Sequence, residues 1–239
     1  MMNKKKLVLS LILAGMIVVL TGCLQSVRGT GEMISRDFEI ENFSALDIRG
    51  GYTVIWRESA HVAVTVEMQE NLFEFLQVSV TGETLRVSST RNFNTNRGNS
   101  PRIYIYAPYL EMVSFYGAVS ATDWDIVQGE RFQIQGAGAM NVSLELEVDT
   151  IEIDLSGAGN LNLSGIADSA NIITTGASSI SATQLQIRDA SVELSGAGDV
   201  AVDVTDYLRI SLFGAGIVRY TGDPMIDRTI LGVGRVVQR

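Results

Sequence analysis

Little in this chain's inventory of reactive side chains supports catalysis. One histidine, His61, and one cysteine, Cys23, leave no disulfide framework, no thiolate metal cluster and scant material for general acid–base or zinc chemistry. No Gly-x-Ser-x-Gly nucleophile elbow occurs, and His61 sits in an alternating run, His61-Val62-Ala63-Val64, that reads as strand. The expectation is therefore no catalytic residue, no metal and no other cofactor. Asp123 and Asp125 flank Trp124, but two carboxylates fall short of the roughly six to eight oxygens that calcium takes, so a turn or strand-end role is expected for them. The chemistry that remains is recognition. A polar run from Arg91 to Arg102 holds Arg91, Arg97 and Arg102, whose guanidinium forks suit the carboxylate of an acidic sugar. This run, read as a hairpin loop, is the first candidate binding site.

At the N-terminus the chemistry concerns address. Lys4, Lys5 and Lys6 are the only lysines, and they directly precede an apolar stretch from Leu7 to Leu20. As a helix that stretch reaches about 21 Å, short of the roughly 30 Å hydrocarbon core, so a cleaved signal peptide over residues 1–22 is expected rather than a permanent span. Leu20-Thr21-Gly22-Cys23 resembles the lipobox of bacterial lipoproteins, which implies lipid attachment at Cys23. Residues 23–36 then read as a lipidated tether and 37–239 as the domain. Leu24 stands where an inner-membrane retention signal has Asp, which directs the expectation to the outer membrane in a cell with two. Loss of the three lysines takes the net charge from −9 to −12, with 15 arginines and no lysine left, which opposes nucleic acid as a partner.

The elements that would carry these residues follow from an internal repeat. Gly-Ala recurs at Gly117, Gly136, Gly157, Gly176, Gly196 and Gly214, at intervals of 18 to 21 residues, with a degenerate copy at Gly232-Val233-Gly234. Within each repeat apolar residues alternate with polar ones, as in Ile151, Ile153, Leu155 and then Leu161, Leu163. A fixed period with strand alternation predicts an all-β fold, a parallel β-helix or β-solenoid of about 18–21 residues per coil. Gly157 and Gly159 share the parity of the apolar residues, so the glycine pairs are expected to face inward as structural turns. An outward column, read as Ser120, Ala139, Asn160, Ser179, Asp199 and Ile217, would be a flat polar strip. Asn160, Ser179 and Asp199 form the second candidate site, suited to a long polymer. From Phe38 to Pro108 the strands are off-period (46–48, 52–56, 62–66, 78–80, 85–87 and 103–106) with one helical turn over 70–76, predicting irregular first coils and an N-terminal cap.

Phe43-Ser44-Ala45-Leu46-Asp47-Ile48 leading to Gly50, Glu70-Asn71-Leu72, Leu85-Arg86-Val87, the run from Ile103 to Leu110 and the serial Ser-Gly-Ala-Gly turns together resemble the bacterial auto-transporter adhesin head GIN domain family over residues 38–239. The resemblance implies an exported stack of β-strands at the cell surface and brings no catalytic residues. Tyr116, Gln135, Thr175 and Phe213 depart from Ser before the turn glycine. The function expected is a non-catalytic cell-envelope lipoprotein, a binding or structural module. Its partners would be the membrane, through the N-terminal lipid, and an envelope glycan or surface protein. The rival expectation is a carbohydrate-active β-helix enzyme acting on acidic polysaccharide.

Overall fold

A computed structural model describes residues 26–95 and 98–239. Its strands are β1 (Val27–Arg28), β2 (Met33–Phe38), β3 (Ala45–Glu58), β4 (Ala63–Gln69), β5 (Leu76–Thr81), β6 (Thr84–Ser89), β7 (Phe93–Asn94), β8 (Arg102–Ala107), β9 (Met112–Ala121), β10 (Val127–Gly157), β11 (Asn160–Gly176), β12 (Ser179–Gly196), β13 (Asp199–Gly214), β14 (Ile217–Thr221), β15 (Met225–Gly232) and β16 (Arg235–Gln238). A single 3-10 turn, Glu70–Phe75, follows β4. From β9 to β16 every pairing is parallel, each coil lying on the one before it. This is the β-solenoid that the repeat predicts. No helix among the described residues is long and apolar enough to cross a membrane.

Alternation translates directly into inward ladders. Ile153, Ile172, Val192 and Ile210 stand in register and are buried, as do Leu161, Ile180, Val200 and Val218. These ladders join one continuous apolar core that begins at Phe43 and ends at Tyr220. Parallel strands buried along one face favour such β-branched and Leu side chains, because each layer repeats the shape beneath it.

The corner glycines differ from the sequence reading in register and in direction. Gly117 pairs with Gly138, not Gly136, so the column runs Gly50, Gly117, Gly138, Gly157, Gly176, Gly196, Gly214 and Gly232. In Gly136-Ala137-Gly138-Ala139 the motif occurs twice, and core packing selects the second copy because Gly136 lies buried against Met140 and Leu155. Only one glycine of each pair faces inward. Gly159 is buried, whereas Gly157 is exposed, with φ +110°, and a Cβ there would meet the carbonyl oxygen of Gly138 at 2.9 Å. The first glycine thus serves backbone conformation and the close approach of successive coils. The outward column shifts accordingly to Thr53, Ser120, Asn141, Asn160, Ser179, Asp199, Ile217 and Arg235, with Asn141 in place of Ala139. The residue before the glycine in that coil is Ala137, not Gln135.

The N-terminal end is closed as expected, by antiparallel strands: β2 pairs β4, β4 pairs β8 and β5 pairs β6. Two further expectations change here. Residues 27–36, read as tether, carry β1 and most of β2, because Ile34 and Phe38 pack on the core and Arg36 stacks 4.3 Å from the ring of Phe73. The run from Arg91 to Arg102 is no hairpin, since β6 and β8 both pair parallel with β3, at Ala45–Ile48 and Thr53–Glu58. It is an enlarged corner of the coil, and it carries β7, which pairs with β1.

Candidate functional site

The enlarged corner makes the site. Gly50 and Gly117 stack at the ordinary corner of the first two coils, and the segment after β6 passes over them. It is pinned on both sides. Thr53 N–H donates to the Pro101 carbonyl (2.9 Å), while Val27 N–H donates to Asn92 O (2.8 Å) and Gly29 N–H to Asn94 O (3.0 Å). Between excursion and corner opens a cleft of about 650 Å³, within the range of small-molecule and sugar sites. Arg49 and Tyr116 line one side, Arg91 and Phe93 the other, and Thr53 and Ser120 contribute hydroxyls.

Arg49 is positioned from beneath. Asp47 accepts from its Nε (2.8 Å) and Nη2 (3.1 Å) and from Arg86 Nε (2.9 Å). Burial pushes the Asp47 carboxyl up, but hydrogen bonds and charge from Arg49 and Arg86 outweigh it and hold the group below the usual carboxylate range. So fixed, the Arg49 guanidinium lies 4.9 Å from the centroid of Tyr116, in cation–π contact, with its outer edge toward solvent. Tyr52, also at this corner, folds its ring inward under Gly50, where a Cβ would meet Cε2 at 2.8 Å. Its hydroxyl is buried and has no hydrogen-bond partner among the described residues, and burial raises the phenol well above its ordinary value. Arg91 contributes a second guanidinium, 5.9 Å from the ring of Phe75, and its backbone N–H donates to Ser89 Oγ (3.2 Å). The rings of Tyr116 and Phe93, a fixed guanidinium and hydroxyls are a set suited to holding a polar, anionic ring compound.

The two candidate sites from the sequence meet in part. Asn160, Ser179 and Asp199 are exposed and lie in direct register on adjacent coils, and their column begins at Thr53 and Ser120 in the cleft. At about 4.8 Å per coil, Asp199 is roughly 19 Å along the stack from Ser120. Asp199 is engaged by Arg219 (3.3 Å). Of the loop arginines, Arg91 lines the cleft and Arg97 lies outside the described residues. Arg102 is elsewhere: it enters β8 and binds Glu67 (2.9 Å), which also accepts from the Tyr104 hydroxyl (3.2 Å). Cys23 lies outside the described residues. Asp123 and Asp125 clamp Arg57, at 2.8 and 3.7 Å, while Trp124 Nε1 donates to Val54 O (2.8 Å), tying the end of β3 to the next coil. His61 is exposed in a bend just before β4, with its N–H on Ser59 Oγ (3.1 Å).

Arg49, Thr53 and Phe93 were not singled out from the sequence as site residues. Tyr116 carried a signal, as a bulky ring in a position otherwise held by Ala, Ser or Thr through the middle coils. Arg49 was hidden because the repeat at Gly50 continues with Gly51-Tyr52 rather than Gly-Ala.

Residues 42–224 match the family model described as "Putative auto-transporter adhesin, head GIN domain". The chain belongs to this family. Several solved structures share its fold. One, described as a "putative adhesin" from Bacteroides fragilis, gives a TM-score of 0.84 at 22% identity, covering 90% of this chain and 100% of its own. A "putative lipid binding protein" from Parabacteroides distasonis gives 0.70 at 21%, with 90% and 100% covered. A "putative adhesin" from Parabacteroides merdae gives 0.67 at 20%, with 90% and 99% covered. At such identities the likeness is one of fold. No curated protein matches.

Proposed function

We propose that this head GIN domain is a non-catalytic binding module of the cell surface, anchored through a lipid on Cys23, and that the cleft at the first corner takes an acidic sugar of an envelope glycan. The observation that carries the reading is the arrangement at the cleft. Arg49 is held by a buried carboxylate and stacked on Tyr116, opposite Arg91, with the hydroxyls of Thr53 and Ser120 nearby. Such a site has fixed charge and geometry before any ligand arrives, which limits the entropy lost on binding. The family description supports the adhesive role, as do the adhesin descriptions of two of the structural relatives. In a cell with two membranes the anchor belongs in the outer one.

The test is a screen of acidic and neutral oligosaccharides with purified protein, followed by Arg91→Ser combined with Tyr116→Ala. The expected outcome is binding confined to acidic sugars, weakened by salt and reduced at least about tenfold in the double variant, with the melting temperature nearly unchanged. Binding that survives in the double variant contradicts the cleft assignment. New reducing or unsaturated ends appearing in the bound glycan would contradict the non-catalytic reading. Lipid attachment is tested separately, by labelling cells with an alkyne fatty acid. Wild type should incorporate it and Cys23→Ala should not.

A further inference from the structure

Columns that run the length of the stack change character in its last coils. The position before the corner glycine reads Ser156, Thr175 and Ser195, then Phe213 and Leu231. The position after it is Ala158, Ala177, Ala197 and Ala215, then Val233. The outward column passes from Asp199 to Ile217. In the final coil Met225 is 74% exposed, Leu231 62% and Val233 83%. Two inward ladders change the opposite way, with Arg228 in register with Ile210 and Gln238 with Tyr220, while Ile226, Ile230 and Val236 keep the others apolar. Coil packing does not require the outward change, since Ser and Ala satisfy the same corner in the preceding coils. A further coil would pair the backbone edge of β15 but would leave these outward side chains uncovered.

Charge changes at the same place. The domain as a whole is strongly acidic, yet the final coil presents Arg228, Arg235 and Arg239, none of them in an ion pair among the described residues. Of its two aspartates, Asp227 is met by Arg209 of the preceding coil at 3.4 Å, leaving Asp223. A final coil that carries both exposed aliphatic side chains and these arginines matches a surface that offers hydrocarbon and phosphate together. A two-fold contact between copies would instead set these arginines against one another. We propose that the C-terminal coil is a membrane-contact surface for anionic bilayers, in which Met225, Leu231 and Val233 enter the interfacial layer and Arg228, Arg235 and Arg239 reach lipid phosphates. This surface is separate from the corner cleft, at the other end of the stack.

The chain from Ser26 to Arg239 contains the whole core and lacks both Cys23 and the apolar N-terminal stretch, so vesicle binding by it reports the solenoid alone. It is sedimented with vesicles of phosphatidylcholine, and of phosphatidylcholine with about one-third phosphatidylglycerol. Wild type should partition onto the anionic vesicles at least about tenfold better than onto the neutral ones, and less at high salt. Leu231→Asp with Val233→Asp should lower partitioning by about tenfold or more, given the apolar area removed from the contact. Ser195→Asp with Ala197→Asp, at the same corner two coils earlier, is the matched control and should bind as wild type. Circular dichroism melts confirm that each variant is folded. Absence of wild-type binding to anionic vesicles overturns the proposal, as does equal binding by the Leu231/Val233 variant. So does a wild-type dimer in solution that this variant dissolves while neither protein binds vesicles, because the apolar collar would then be covered by a second copy.

Discussion

Gly157 and Gly159 are two residues apart in one corner, and they are needed for different reasons. At Gly157 the backbone has φ +110° and a Cβ would sit 2.9 Å from the Gly138 carbonyl oxygen, so neither strain nor clash can be relieved by a side chain. At Gly159 the obstacle is Met140 Cγ, at 2.7 Å, the stem of a flexible side chain. Gly157→Ala should therefore cost about 1–3 kcal/mol through backbone strain, and Gly159→Ala a similar amount through overpacking against buried Met140, with Ser156→Val within about 0.5 kcal/mol of wild type. Thermal or urea unfolding decides it, and losses at 157 and 159 as small as that at 156 would contradict the assignment. Asp47 makes a second prediction. Its folded carboxyl lies below its unfolded value, so its contribution is present above the unfolded carboxylate range near pH 4 and is lost as pH falls through the folded value. Asp47→Asn should cost about 1–3 kcal/mol at neutral pH, and the gap to wild type should close in acid. The same variant should weaken ligand binding at the cleft, since Arg49 would lose the group that positions it. A gap that stays constant down to low pH would show that the carboxylate charge is not what stabilises the fold.

The parallel coils were legible as elements because strand parity and the corner glycine both repeat. Where a motif is doubled, as in Gly136-Ala137-Gly138-Ala139, the period alone does not decide which copy enters the column, and packing of Gly136 against Met140 and Leu155 does. β1 and most of β2 read as tether because residues 24–36 show no sustained periodicity and their partners, Asn92–Asn94 and β4, are distant in sequence. The corner cleft was only half legible for the same reason. Its walls come from β3, β9 and the segment around β7, and pairing between segments so far apart leaves no local pattern. One ladder carries an imperfection that tests how the coils are held. Thr174 stands in register between Leu155 and Leu194, fully buried, with no hydrogen-bond partner for its hydroxyl among the described residues. Thr174→Val should raise stability by about 1 kcal/mol, measured by urea unfolding. A loss of similar size would mean that the hydroxyl has a partner in solution and that the ladder is not purely apolar.

At the scale of the molecule, the solenoid separates three tasks along its axis. The N-terminal strands close the stack, the first corner holds the cleft, and the polar column of Asn160, Ser179 and Asp199 runs from the cleft toward an apolar, arginine-bearing end. A long glycan bound in the cleft could continue along that column, but the fixed guanidinium and the stacked ring are in the cleft. The most direct measurement is hydrogen exchange, by mass spectrometry, on the protein saturated with an acidic oligosaccharide recovered in the screen. Protection is expected in peptides covering residues 49–53, 91–95 and 116–120, with little change at 160, 179 and 199. Protection confined to the column, with the corner exchanging as in the free protein, would contradict the cleft as the binding site and move it to the stacked face.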